Sequence, residues 1–290
     1  MSDSTGVPAG SARALDWFNF FVSNVQTGFG AFVAVYLTAE AWTQGQIGLA
    51  LSIGTMASIA SQVPAGVLVD AVANKRLAAT IACVAIAACA LLIGLWPVEL
   101  SVWLAKVLHG FASAMLMPAI AALSLGLVGH AALGARLGRN ARYAAAGSGV
   151  AAALMGVCGT FVSEASVFYL TAVLMVPALL VLRAVRVPAV APAGVRAAGD
   201  RDSGMAEVLR LLGDRRLLVF ALVVVLFHLA NAAQLPLMAS EATAQTGRYA
   251  SMVIAACIVL PQVIVAGLAP SGGVWADRWG RRPVVAVCFA

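Results

Sequence analysis

Apolar residues in this chain do not alternate with polar ones; they continue for about twenty positions at a time between short polar breaks. Runs of that length match the ~20 residues an α-helix needs to cross a bilayer. They fall at about 16–38, 46–69, 77–96, 100–128, 143–162, 166–184, 217–238 and 249–272. A ninth run begins after Arg282 and is still short at Ala290, so eight spanning helices are expected, with the chain stopping inside a ninth. The ~10-residue alternating segments of a membrane β-barrel do not occur. The expected fold class is an all-α polytopic membrane protein.

The breaks are short except at 185–216, where Pro188, Pro192, Gly194 and Gly199 stand among mixed charges. That stretch reads as a linker. The expected organisation is a tail over 1–15, a six-helix bundle over 16–184, a linker over 185–216 and a partial second bundle over 217–290. The first apolar run lacks a small-residue cleavage site and is read as a retained span, not a signal peptide. Composition agrees: 62% of residues are hydrophobic and 10% charged, against roughly 45–50% and 25% in soluble domains.

A net charge of +6 could suggest nucleic acid, but position argues otherwise. All of the 18 Lys and Arg except Lys106 and Arg248 fall on alternate loops, those of one face. The opposite loops carry Glu40, Glu99, Glu164 and Glu241. By the positive-inside rule, the basic face, the linker and the N-terminus are expected in the cytoplasm, with the chain in the inner membrane. Nucleic acid is not needed to explain the charge. Cys83, Cys89, Cys158, Cys257 and Cys288 all lie in apolar runs without a CxxC pair, and read as small buried hydrophobes.

Two charged hairpins repeat one pattern. Gly66, Asp70, Lys75 and Arg76 follow the second run; Gly273, Asp277, Gly280, Arg281 and Arg282 follow the eighth. In each, Asp lies four residues after Gly and a base five residues after Asp. Acids and bases at a membrane edge are costly and mark function, and their recurrence suggests a duplicated helical half, the build of many secondary transporters. The first copy resembles the loop motif G-x-L-x-D-x-x-G-x-[RK]-[RK] of the major facilitator superfamily, with Ala73 where the family has Gly. In the second copy Trp275 replaces Leu and Pro283 takes the last basic place. Lys106-Val107-Leu108-His109-Gly110 resembles the family's R-x-x-Q-G, with lysine for arginine. Gly147, Gly149, Gly156 and Gly159 resemble its glycine-rich fifth span, without the diagnostic Gly-Pro. The resemblance implies a twelve-span carrier built of two bundles, of which this chain supplies eight spans and part of a ninth. It also implies that Asp70 latches the cytoplasmic side, with Asp277 doing the same near Arg139 and Arg142.

Polar residues inside the runs are the candidate site. Asp16, Asn19, Ser23 and Thr27 share one stripe of the first span at helical spacing. Asn19, Ser23 and Thr27 are read as a substrate-cavity wall. Asp16 is read as a helix cap at the membrane edge, or else as a proton-coupling group. His228, Asn231 and Gln234 form a second stripe, on the seventh span. This span pairs with the first by pseudo-symmetry, as a shared cavity requires. Gln62 and Gln262, near Pro64 and Pro261, are placed along the same path. Lys106 and His109, three apart on the fourth span, can both change charge and are proton-coupling candidates.

No HExxH, GxSxG, Walker A loop or glycine-rich dinucleotide turn occurs, so neither an enzyme nor a nucleotide-driven pump is indicated, and no cofactor or metal is expected. The reading is a monomeric transmembrane secondary transporter. It moves a small-molecule substrate by alternating access, coupled to protons and in the direction of efflux. The alternative is a non-transporting membrane protein, a truncated product or a sensor relic.

Overall fold

The computed structural model describes residues 9–130, 132–186, 213, 215–232, 234–279 and 283. Every regular element among them is a helix, and no strand occurs among the described residues. The first apolar run is α1 (Ala9–Val22), α2 (Asn24–Gly28) and α3 (Ala31–Ala39). Then come α4 (Gln44–Ala71), α5 (Lys75–Leu95), α6 (Glu99–Val128), α7 (Leu133–Phe161) and α8 (Ser166–Ala184). The second part holds α9 (Arg215–Ala232), α10 (Gln234–Thr246), a 3₁₀ turn (Gly247–Tyr249) and α11 (Ala250–Trp279). Among the described residues, six helices are long and apolar enough to cross a membrane: α4 to α8, and α11 over Ala250–Leu268.

One run differs from expectation: the first is broken twice, at Ser23 and at Phe29–Gly30. Ser23 Oγ donates to the Phe20 carbonyl, and Asn24 Nδ2 donates to that of Phe21. Such local side-chain bonds offer the backbone an alternative to the helical ladder, which is why polar residues inside a run can end a helix. The seventh run is described as α9 up to Ala232 and as α10 from Gln234, and the residue between them lies outside the described residues. His228 and Asn231 stand on α9 and Gln234 on α10.

The helix boundaries have local causes. Thr43 and Gln46 form a reciprocal capping box at the start of α4. Asn74 caps α5 by accepting from the backbone of Arg76 and Leu77. Lys75 Nζ donates to the Val69 and Asp70 carbonyls at 2.7 and 2.9 Å, closing the C-terminus of α4. Gly129, at φ +69°, ends α6 in the left-handed region that favours glycine.

Packing is inside out relative to a soluble protein. Met56, Ile59, Val63 and Val67 lie along the outer face of α4, all more than 60% exposed. The helix interfaces carry small residues, for example Ala78, Ala79, Ala82 and Cys83 on α5. This is the pattern for helices that meet in lipid, where close backbone approach replaces hydrophobic exclusion. α6 packs on α4 and α5, α8 on α5, and α1 on α7 and α8, while α7 lies along α11 over the most extensive contact. A Cβ on Gly156 would come within 2.4 Å of Ala255 Cβ, and one on Gly159 within 2.6 Å of Ser251 Oγ.

Candidate functional site

The break at Ser23 opens onto a cavity of about 340 Å³ between α1, α6, α7 and α11. Its walls are mostly apolar, with Asn19, Ser23, Ser113, Ser148 and Gln262 supplying the polar groups and no charged residue lining it among the described residues. Asn19, 4% exposed, donates through Nδ2 to the Leu15 carbonyl at 2.7 Å. Its amide oxygen has no intramolecular donor among the described residues. Thr27, below the break, shares a 2.7 Å hydrogen bond with Ser148 across the α2–α7 seam instead of lining the cavity. Volume, apolar walls and a few convergent polar groups are the usual features of a small-molecule site.

Asp16 does not cap a helix. It sits in the middle of α1, 1% exposed, and accepts from Arg136 Nη2 at 2.7 Å and from Arg139 Nη2 at 2.6 Å and Nε at 2.9 Å. The expected cap is corrected for a simple reason: α1 begins at Ala9, leaving no free N–H groups beside Asp16. Arg136 is itself held by Asn140 Oδ1 at 2.9 Å, and Asn140 Nδ2 reaches Ser124 Oγ at 2.8 Å on α6. One network therefore fastens α1, α6 and α7 at the basic end of the bundle. Arg139 is engaged by Asp16, and the Asp277 side chain expected near it lies outside the described residues.

Lys106 and His109 do share a face, and both meet the second break. Lys106, 5% exposed, passes over Gly54 of α4 and donates Nζ to the Phe29 carbonyl at 3.1 Å. The His109 ring stacks on Phe29 at 3.8 Å and 11°, and its Nε2 lies 3.2 Å from Ser113 Oγ. Neither residue lines the cavity, but Ser113 does, so His109 touches the wall through that hydroxyl.

Of the hairpin residues, Lys75 holds backbone carbonyls and Asp70 is exposed, its carboxylate in no ion pair among the described residues. Gly66 is half-buried on α4, with open space where a Cβ would lie. Gly273 and Asp277 lie on α11, but their side chains, with Gly280, Arg281 and Arg282, fall outside the described residues. The same is true of the His228 and Asn231 side chains. Gln234 is exposed and does not line the cavity. Gln62 is exposed on α4, whereas Gln262 lines the cavity.

Sequence reasoning missed Ser113, Ser148 and the partners of Asp16. A signal for the last was present, since an acid inside an apolar run requires a cation, and Arg136 and Asn140 stand one turn apart.

At the far end of α7, Ser251 donates its hydroxyl to Glu164 in the α7–α8 turn. Burial raises the Glu164 carboxyl above its ordinary range, and the Ser251 bond offsets part of that. A raised carboxyl stabilises the fold fully below the ordinary glutamate value, and that stability is lost as pH rises through the raised one. The α7–α11 seam should therefore loosen from acid toward neutral pH. Melting temperature against pH should flatten in Glu164→Gln, and an unchanged slope would remove Glu164 from this role.

A sequence profile described as the Major Facilitator Superfamily matches residues 15–290. Two Mycobacterium tuberculosis proteins, from strains CDC 1551 / Oshkosh and H37Rv, are each described as an uncharacterized MFS-type transporter. Each is 33% identical to this chain over 291 residues, an alignment covering 98% of this chain and 69% of the relative.

Proposed function

The chain belongs to the Major Facilitator Superfamily, and from that premise we propose that its cavity carries an uncharged, amphipathic organic molecule outward across the inner membrane, in exchange for protons. The family makes it a transmembrane secondary transporter with a small-molecule substrate. The cavity at the broken first span supports the rest: it is mostly apolar, has polar groups from α1, α6, α7 and α11, and among the described residues has no fixed charge on its wall. A charged substrate would leave its countercharge unmet there.

The broken helix suits this role. Backbone irregularity at membrane depth is tolerated where it lines a cavity, and transporters use such breaks at their sites. Lys106 and His109 lie buried against the Phe29 carbonyl and ring, and His109 touches the wall through Ser113, so a proton gained there alters packing at the break. Asp70 and Asp277 latch the cytoplasmic side, and the N-terminus and linker lie in the cytoplasm.

Flux into proteoliposomes under an imposed pH gradient tests the coupling, with a panel of neutral and cationic amphiphiles. Neutral compounds should move in response to the gradient. Asn19→Leu with Gln262→Leu should raise KM about fivefold, as expected for about 1 kcal/mol of lost hydrogen bonding, without lowering the melting temperature. Flux indifferent to the gradient would refute proton coupling, and exclusive movement of cations would refute the substrate class.

A further inference from the structure

On the basic end of the bundle, away from the carrier cavity, α5 and α8 flank a second pocket of about 250 Å³, lined by Asn74, Arg76, Leu77, Thr80, Leu182 and Arg183. We propose that this pocket binds the phosphate of an anionic glycerophospholipid, whose acyl chains lie along the outer faces of α5 and α8.

Among the described residues the pocket holds two guanidinium groups and no carboxylate. Arg76 is fixed by an Nη1 bond to the Val185 carbonyl at 3.1 Å, which leaves its other N–H groups available. Arg183, in the last turn of α8, is exposed and makes no ion pair or side-chain hydrogen bond among the described residues. The two polar neighbours are already engaged through their oxygens. Asn74 accepts from the Arg76 and Leu77 amides, and Thr80 Oγ1 donates to the Arg76 carbonyl at 2.8 Å. The donors left for a ligand are thus the guanidinium N–H groups, whose planar fork matches phosphate oxygens, and the Asn74 Nδ2 amide, whose oxygen alone is engaged among the described residues.

The surface leading away from the pocket identifies the rest of the ligand. The two helices are antiparallel neighbours, since Lys75 begins α5 at the end where Ala184 closes α8. From Leu77, exposed Ile81 and Val84 continue along one face of α5 at four- and three-residue steps. From Arg183, exposed Leu180, Val176 and Val173 continue along one face of α8 in the same way. A cationic pocket at the membrane edge with two apolar columns beneath it has the shape and polarity of a phospholipid. A free phosphate would use only the pocket's donors. A zwitterionic headgroup would bring an ammonium with no acid among the lining residues to receive it. Basic pockets between helices on the positive side are known lipid-headgroup sites in membrane proteins. The proposal requires only that the chain spans a bilayer, so it stands or falls separately from the substrate assignment.

Native mass spectrometry of the delipidated full chain, titrated with phosphatidylglycerol, provides the test. One lipid per chain should be retained well above the level for phosphatidylcholine. Each arginine is worth a factor of about 5, so Arg183→Gln should weaken retention about 5-fold and Arg76→Gln with Arg183→Gln about 30-fold. Arg142→Gln, at the same end but outside the pocket, should leave it unchanged. Should the double variant fail to fold, Arg183→Gln alone decides, because that side chain supports no intramolecular bond among the described residues. Equal retention by wild type and Arg183→Gln would overturn the proposal. So would equal retention of phosphatidylcholine, or displacement of the lipid by inorganic phosphate at matched concentration.

Discussion

Asp16→Asn should cost the folded protein about 3–5 kcal/mol, the loss expected when one member of a buried ion pair is removed and the other stays behind. Asp16 and Arg136 are both almost wholly buried, and the carboxylate also takes three bonds from Arg139. Asparagine offers one acceptor oxygen and no charge, which strands the Arg136 guanidinium between α1 and α7. Arg139 behaves differently: its side chain is 54% exposed, so solvent screens the pair and Arg139→Gln should cost no more than about 1 kcal/mol. Thermal unfolding in detergent checks both values. An Asp16→Asn protein melting with the wild type would show that the network does not hold α1 to α7. Arg136→Met on the Asp16→Asn background should recover part of the loss, because two uncharged partners are cheaper than one orphaned charge.

Gly147→Ala should be the most damaging single-methyl change in the first bundle. An added Cβ would sit 2.0 Å from the Phe20 carbonyl oxygen and 2.6 Å from Ser23 Oγ. The nearest obstacle is backbone, which cannot swing aside, so α1 and α7 must part. Overpacking of this kind costs about 1–3 kcal/mol, occasionally more. Separation also threatens the nearby Thr27–Ser148 bond, a further loss of about 1 kcal/mol. Because the seam borders the cavity wall at Ser23 and Ser148, transport should fall with stability. Gly138→Ala on the same helix is the control. Beyond its own helix turn, no atom among the described residues lies within 4 Å of its would-be Cβ, so helix propensity alone should stabilise α7, by up to about 1 kcal/mol. Equal melting temperatures for the two alanine variants would refute the close approach at Gly147.

The first apolar run shows how far a linear reading reaches. Its polar stripe identified the face that turns inward: Asp16, Asn19 and Thr27 are all buried, and Asn19 and Ser23 line the cavity. That inference needed only the helical period and the cost of polar groups in lipid. It did not show that the helix breaks at Ser23 and again at Phe29, because a break depends on whether neighbouring groups satisfy the freed carbonyls. Lys106, seventy-seven positions along the chain, does this for Phe29.

By itself, then, the order of residues determined the class, the approximate positions of the spans and the family. Each depends on local length, apolar content or a short motif, and none requires knowing which helices touch. Tertiary structure alone decided what each polar group does. Asp16 became an anchor because α7 brings two arginines to it, and Gln262 became part of a cavity while Gln62 stayed outside, because α11 and α4 present different faces to the bundle. The physical reason is that charge, hydrogen bonding and close approach act between atoms a few ångströms apart, and the fold, not the numbering, sets those distances.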